Sequence, residues 1–557
     1  MLKNLNIKFH NLENKIEKSI INNSRENYYQ ITFHLIVSII LFSPLFFGKF
    51  QMAGTDQYFN IFPNLVFGLR EFKEFGQFNY WNPYIFSGFD MTESMHSHFL
   101  HPVFWPILLF SEKYIFHIIT IIFFLFNFGV AFFWIKISDF FKLENLSSSI
   151  VAITAQSSFF FWFGTINFIG VHLFFFSTFI IYLLCTYKNR NNTINFSLLS
   201  IGFSCLFLTA HPAYVFGFTV VPVLFFIFLL NDKFINRNLV FIFFGAIIFS
   251  LIISLYRIFP VYLILDDGTA SNPFSWSRNF NSAPFLILTL FNPSMFGNTL
   301  GDSLYFFETM NYPRGIHNAF HTSLYFGIGP LIIISISVIN KFSRVKTILL
   351  TSFILTLFHS TYFLEPVQDL VDILFKPFNH SSIFKILSFY SFMFLFIFCL
   401  KDFSKERLFK KKINPKIIII SFIVIFIFSL GVYLDVINYL YQKEFQKFAR
   451  LSEIVTKVDV ILYLILCKLL IISGVIYLLF SKKNWNLKIL QIFFKKLILL
   501  TLIIFILSNL VGLIAQKLGF IFIEAESYLT FMKNFLLLLI SLSVIYLHSY
   551  KIIKKNK

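Results

Sequence analysis

The sequence is short of the residues that water-soluble proteins place on their surfaces. Only 13% of its 557 residues are charged, whereas 57% are hydrophobic and 21% are aromatic. A water-soluble fold of this length has too little interior to hide so much apolar surface. The composition therefore excludes a soluble multidomain protein.

Cysteine is scarce, and so are the marks of processing and repetition. The four cysteines lie inside apolar runs, so their spacing defines no disulfide framework and leaves the redox compartment open. Residues 1–30 are polar and of mixed charge, without an early apolar core or a small-residue cleavage site. We expect them to form a cytoplasmic N-terminal tail and not a signal peptide. Neither an internal repeat nor a low-complexity tract is evident.

Long apolar runs are what the sequence does contain. Runs of about 17 to 25 residues recur along the chain, and each is long enough to cross a bilayer as a helix. Because the bilayer core offers no water to the backbone, these runs have to be helical. We predict an all-α, polytopic transmembrane protein with about 14 spans. The predicted spans are 31–48, 114–135, 146–164, 168–187, 194–210, 213–231, 239–258, 322–340, 347–363, 385–400, 417–434, 460–480, 497–515 and 531–550.

The formal net charge of +19 is explained by topology. With the N-terminus inside, most Lys and Arg residues fall on the cytoplasmic side, which is the positive-inside pattern. An even number of spans then returns the basic C-terminus to the cytoplasm. Basic segments of this kind rest at anionic headgroups, so we expect membrane lipids as partners and no nucleic acid. The main basic clusters are Lys341–Lys346, Lys401–Lys416, Lys482–Lys496 and Lys551–Lys557.

Two outer segments are much longer than a turn between helices requires. They are the loops 49–113 and 259–321, and both are rich in Gly, Pro, Asn, Asp, Trp and Tyr. Such residues form turns and interfaces, not disordered linkers. Long loops with structure of their own are usually functional. We therefore expect two large, structured extracytoplasmic loops that carry the binding or catalytic surface.

The first loop opens with Gly54–Tyr58, which contains Asp56 just beyond the first span. Partial desolvation and a nearby cation could tune this carboxylate for proton abstraction, although a solvated turn aspartate would fit the position equally well. Further on, Trp81–Tyr84 forms an aromatic turn. Such a turn either stacks on a sugar or anchors at the membrane interface.

Three histidines follow closely in the same loop. His96, His98 and His101 could hold a divalent metal ion, with Asp90 or Glu93 supplying an oxygen ligand. Their spacing matches no standard zinc signature. The cluster is a weak candidate for a metal site.

Two cations and one histidine lie at predicted span ends. Arg257 lies at the outer boundary, against the positive-inside trend, and requires an anionic partner such as Asp266 or a lipid phosphate. Lys385 has a similar position at the start of the tenth span. His211 ends the fifth span, where a capping role is common. Lys468 lies inside a predicted span and is interpreted as a packing or snorkelling residue.

Together these elements resemble the YfhO-like membrane proteins, across roughly residues 30 to 400. The first outer loop of that family is similar to Gly54–Tyr58, to the Trp81–Tyr84 turn with Ser87-Gly88, and to His101-Pro102. Phe384-Lys385 stands where the family has Phe-Arg, and the family's later arginine is absent here. Further similar elements are Ala210-His211-Pro212, Arg257–Pro260, Asn292-Pro293 with Gly297, and Tyr325–Pro330.

The resemblance implies a GT-C-type, inverting glycosyltransferase of the bacterial cytoplasmic membrane. Such an enzyme takes a sugar from a polyprenyl-phosphate donor and transfers it to an envelope glycan or a lipid-linked acceptor. It implies a catalytic module at 31–400, followed by C-terminal helices and a basic tail at 401–557. Asp56 would be the general base, and Arg257 with Lys385 would bind the donor phosphate. Substrate contacts would fall on Trp81, Asn82, Tyr84, His211 and Asp266.

Two other classes of function remain open. A lipid-linked saccharide flippase or another transporter would suit the same number of spans, although transporters usually show repeated halves and charges inside the membrane. We expect ionisable residues to avoid the span centres here, Lys468 excepted. A non-catalytic envelope-assembly protein is the third possibility, because the basic phosphate clamp is reduced.

Overall fold

The computed structural model of the protein is predominantly helical in the residues that it describes. These are residues 28–42, 46, 62–77, 81–83, 89–90, 101–111, 114–158, 170–209, 212–231, 237–266, 330–331, 333–334, 337–338, 343–361 and 381–404. The four predicted spans after residue 404 lie outside them. So do nearly all of the predicted N-terminal tail and the second outer loop beyond residue 266.

Helices lie where the apolar runs predicted them. Many side chains along these runs are buried, as expected for neighbouring helices in one bundle. In the segment Arg237–Phe259, however, only 28% of the most apolar stretch is buried. The α-helices are α1 (Tyr28–Phe42), α2 (Phe62–Phe75), α3 (Ile115–Phe140), α4 (Asn145–Gln156), α5 (Val171–Cys185), α6 (Asn192–Phe207), α7 (Pro212–Asn231), α8 (Arg237–Asp266), α9 (Arg344–Thr361) and α10 (Ser381–Ser404).

Three of the described helices are long and apolar enough to cross a membrane. The apolar segments are Ile115–Phe140, Arg237–Phe259 and Phe384–Asp402, in α3, α8 and α10. Helices α1, α5, α6 and α7 contain shorter apolar segments. The helical, membrane-type character of the chain agrees with the sequence. The span count and a GT-C arrangement stay predictions.

Two helix ends differ from the predicted span boundaries. Helix α8 continues to Asp266, into the predicted second loop, and passes through Pro260. A proline removes one backbone donor, which a helix can tolerate. Helix α4 ends at Gln156, earlier than predicted, and Ser158 then donates its hydroxyl to the Ala155 carbonyl at 2.8 Å. Serine hydroxyls that bind nearby backbone compete with helix continuation.

The first outer loop has secondary structure of its own. It contains α2 and a 3-10 helix at Pro102–Leu109. Between them, the two-residue strands β1 (Trp81–Asn82) and β2 (Phe89–Asp90) pair antiparallel. This ladder is a small exception, within the described residues, to the predicted all-α fold.

Close helix packing forms the core. Helix α3 packs on α4 and α5, α6 packs on α8, and α10 packs on α9 and α7. Gly129 permits the approach of α3 to α5, because a Cβ atom there would lie 2.5 Å from the Phe175 ring. Phe226 and Phe243 stack with ring centroids 4.1 Å apart. Small residues and stacked rings of this kind hold membrane helices together where lipid is as apolar as the side chains.

Candidate functional site

Lys385 is a buried cation without a partner among the residues that the structure describes. It lies in the second turn of α10, and only 6% of its side chain is exposed. Within the described residues its ammonium makes neither a hydrogen bond nor an ion pair. Burying a charge without a partner is costly, and such a group in a folded protein requires an explanation.

The polar groups that follow Lys385 along α10 bond to neighbouring helices. Ser388 donates its hydroxyl to the Thr356 hydroxyl on α9 at 2.8 Å. The hydroxyls of Ser391 and Ser352 lie 3.0 Å apart, and the Tyr390 hydroxyl lies 3.0 Å from that of Thr178 on α5. These bonds join α10 to α9 and α5. Lys385 differs from Ser388, Tyr390 and Ser391 because its ammonium has no partner among the described residues.

The position of Lys385 near a helix start adds to the local positive potential. Helix α10 begins at Ser381, so the partial positive charge of its N-terminus lies one turn away. A lysine is not stabilised there by the helix. An anion is favoured at this place by both the ammonium and the helix dipole.

Arg257 is also buried, in the interior of α8. It continues a stripe with Ser250 and Ser254, and Ser250 donates its hydroxyl to the Ser200 carbonyl on α6 at 2.8 Å. Because α8 is helical to Asp266, Arg257 and Asp266 are separated by about 13 Å along the axis and by half a turn around it. This backbone arrangement disfavours the predicted pairing of the two residues.

The structure does not join the two predicted phosphate-binding cations. Arg257 lies on α8, which packs mainly on α6, whereas Lys385 lies on α10, which packs on α9 and α7. Within the described residues no hydrogen bond or ion pair connects Lys385 to α8. Their convergence on one anion stays a prediction.

The two predicted substrate contacts on the β1–β2 ladder differ in their exposure. Trp81 is 54% exposed and presents its ring outward. Asn82 is buried, and its side-chain amide donates to the Asn64 side-chain oxygen on α2 at 3.2 Å. Asn82 therefore ties the ladder to α2, while Trp81 remains accessible to a sugar ring or to a headgroup.

His101 is held by hydrogen bonds at both ring nitrogens. Its Nε2–H donates to the Cys205 carbonyl on α6 at 2.9 Å, and its Nδ1 accepts from the Val103 N–H at 3.3 Å. These bonds assign the neutral Nε2–H tautomer. Burial lowers the pKa of His101 to about 4, against the opposing effect of the Cys205 hydrogen bond. His101 caps the 3-10 helix and fastens it to α6, which leaves neither nitrogen for a metal ion.

The other predicted site residues cannot be placed. Among the described residues, no three His, Cys, Asp or Glu side chains come together as metal ligands would. The remaining metal candidates, His96 and His98, lie outside the described residues, as do Asp56, Tyr84 and His211. The side chain of Asp266 lies outside them as well.

A buried polar cluster in the bundle was missed by the sequence reasoning. His34 on α1 donates from Nδ1 to the Gln156 side-chain oxygen at 2.8 Å. The Gln156 amide donates to Ser38 at 2.8 Å, and the Asn127 amide on α3 donates to the Gln156 carbonyl at 3.1 Å. His34 lies near the start of the predicted span 31–48, so it does not contradict the expectation that ionisable residues avoid the span centres. The four-residue spacing of Gln30, His34 and Ser38 was the available signal.

Chemically, the described residues offer an anion position at Lys385 and an accessible aromatic ring at Trp81. Phosphate is the anion that membrane lipids supply most often at such a depth, and aromatic rings stack well on sugars. These two features are consistent with a lipid-phosphate ligand that carries a saccharide. No family model, curated protein or solved structure matches this chain.

Proposed function

We propose that this protein is a membrane glycosyltransferase. It moves a sugar from a polyprenyl-phosphate donor to an envelope glycan or a lipid-linked acceptor at the outer face of the cytoplasmic membrane. The observation that carries the proposal is the buried ammonium of Lys385, which has no partner among the described residues and lies near the start of α10. The resemblance of the outer loops to the YfhO-like proteins supports the same function.

The reaction requires one bond to form and one to break. The acceptor hydroxyl attacks the anomeric carbon of the sugar, and the bond between that carbon and the phosphate oxygen breaks. The electron pair leaves with polyprenyl phosphate, and the hydroxyl proton passes to the Asp56 carboxylate. Attack opposite the leaving group inverts the anomeric centre, and the products are a glycoside and the lipid phosphate.

Lys385 stabilises the charge that develops on the leaving phosphate. A cation placed in advance in a region of low dielectric is effective because it needs no reorganisation during the reaction. Its ammonium acts as a point charge and lacks the two-pronged geometry of arginine. Arg257 is proposed to supply the second positive charge.

The outer ladder provides the sugar contacts in this proposal. Trp81 is accessible for stacking on the sugar, and Asn82 holds the ladder against α2 through Asn64. Tyr84, His211 and Asp266 are proposed to complete the substrate contacts. A divalent metal is not required by this mechanism, since lysine and arginine supply the positive charge.

The substitution Asp56→Asn tests the proposal. It keeps the size of the side chain and removes the base, so transfer should be lost while insertion into the membrane is retained. The readout is mass spectrometry of envelope glycans from a strain without the gene, complemented by the wild type or by the variant. Glu74→Gln, in the same outer loop, is the matched control and should restore the wild-type glycans. Glycans restored fully by Asp56→Asn would refute the assignment.

A lipid-linked saccharide transporter is the second candidate, and the buried cluster around His34 favours it. Polar groups inside a helical bundle are common in transporters. The two functions differ in whether a glycosidic bond is formed. Purified protein in vesicles with a polyprenyl-phosphate sugar and acceptor would release polyprenyl phosphate only if it is a transferase.

A further inference from the structure

The 3-10 helix at Pro102–Leu109 has two faces of different environment. One face, with His101, Phe104 and Ile107, is buried against the bundle. The opposite face is apolar and exposed: Leu109 has 82% of its surface exposed, and Trp105 has 44%. Phe110, which follows the helix, is also exposed. Large side chains of this type rarely form a contiguous exposed surface in water.

The neighbouring helix α2 shows the contrast. Its exposed residues include Arg70, Lys73 and Glu74, which are suited to water. The 3-10 helix packs on α2, and the Lys73 ammonium donates to the Phe110 carbonyl at 3.2 Å. The exposed face of the 3-10 helix contains no charged residue. A boundary between a charged and an uncharged surface therefore runs along the junction of these two helices.

A second exposed apolar face lies on the membrane-type helix that follows. Tyr114 is exposed immediately before α3, and Ile121 and Leu125 are exposed further along it. These positions are seven and eleven residues apart from Tyr114, which places them on one face of the helix. Helix α3 is long and apolar enough to cross a membrane. The exposed face of the 3-10 helix is thus separated in sequence by three residues from an exposed apolar face of α3.

We infer that the exposed face of the 3-10 helix lies in the outer leaflet of the bilayer. Trp105, Leu109 and Phe110 contact phospholipid at the level of the headgroups and the first methylene groups, while the charged surface of α2 faces water. Tryptophan and tyrosine are enriched at this level because their rings are amphipathic. The basic Lys73 at the boundary suits lipid phosphate. This inference does not depend on the proposed transfer reaction.

Spin labels at two positions test the inference. In the full chain, with the four native cysteines replaced by alanine, a nitroxide is attached at Leu109→Cys or, as the matched control, at Glu74→Cys. The protein is reconstituted in vesicles of phosphatidylethanolamine and phosphatidylglycerol, with a water-soluble nickel chelate on both sides. The Leu109 label should relax faster with oxygen than with nickel, and the Glu74 label should show the reverse.

Two results would overturn the inference. A Leu109 label that is as accessible to nickel as the Glu74 label would place this face in water. A Leu109 label that is accessible to neither agent would mean that protein covers it, either a second copy of the chain or another segment of the same one. If the Leu109 variant does not fold, Trp105→Cys serves as the second variant, with the same expectation.

Discussion

Two buried lysines at opposite ends of the α9–α10 pair differ in what surrounds them. Lys346, near the start of α9, is 2% exposed, and its ammonium bonds to the Ser337 hydroxyl at 2.6 Å and to the Asp402 carboxylate at 2.5 Å. Lys385, near the start of α10, is 6% exposed and has neither kind of partner among the described residues. The same residue type thus occurs once with its charge balanced and once without.

The comparison separates a structural charge from a candidate functional one. Lys346 and Asp402 join the ends of two antiparallel helices, and their charges cancel within the protein. Among the described residues nothing balances the charge of Lys385. A buried charge that the protein does not neutralise itself is an indication of a ligand site.

The largest effect is expected from Asp402→Ala. This change leaves the buried Lys346 ammonium without its carboxylate, and breaking a buried pair by removing one partner costs about 3 kcal/mol or more. Thermal or denaturant unfolding in detergent measures the loss. The double variant Lys346→Met with Asp402→Leu should recover most of the stability, because no uncompensated charge remains. Equal stability of Asp402→Ala and the wild type would remove the distinction between the two lysines.

An intermediate effect is expected from Lys385→Met, and it should fall on function. Transfer should decrease roughly 100-fold, as when one preorganised charge is removed from an active site. The stability of the protein should not decrease, since no internal partner is lost and a buried charge is removed. Transfer is measured by release of polyprenyl phosphate in vesicles, and stability by unfolding in detergent. A variant that unfolds more easily but transfers normally would make Lys385 structural.

The smallest effect is expected from Ser388→Ala, next to Lys385. It removes the hydrogen bond to Thr356, and interhelical hydrogen bonds in membranes contribute about 1 kcal/mol. A double-mutant cycle with Thr356→Val isolates this bond from other changes. Transfer should remain within a few-fold of the wild type. A loss of transfer as large as that of Lys385→Met would show that the hydroxyls share the role of the lysine.

The helices could be predicted from the sequence because apolar length alone specifies them in a bilayer. The ends of α4 and α8 could not be predicted in the same way. Helix α8 passes through Pro260, where the sequence predicted a loop, and α4 ends at Gln156 inside a run predicted to continue. These outcomes depend on neighbouring helices, which the sequence does not display.

The charged residues of the candidate site could be predicted from the sequence, but their bonding partners could not. Lys385 could be identified from its place at a predicted span start, but the lack of a partner among the described residues could be seen only in the structure. His101 was interpreted as a weak metal ligand, whereas the structure occupies both of its ring nitrogens with the Cys205 carbonyl and the Val103 N–H. His34 and Gln156 are 122 residues apart, so no local pattern could pair them.

The 122-residue separation of His34 and Gln156 affects how the first helix is inserted into the membrane. Helix α1 enters the membrane with Gln30, His34 and Ser38 on one side, long before the ribosome has made α4. Until α4 arrives, Gln30 and His34 face lipid or the insertion machinery with these hydrogen bonds unmade. Ser38 can already donate to Asn127 on α3. The first helix is therefore a poor membrane anchor by itself. We expect it to stay beside the insertase until later helices supply its hydrogen-bond partners.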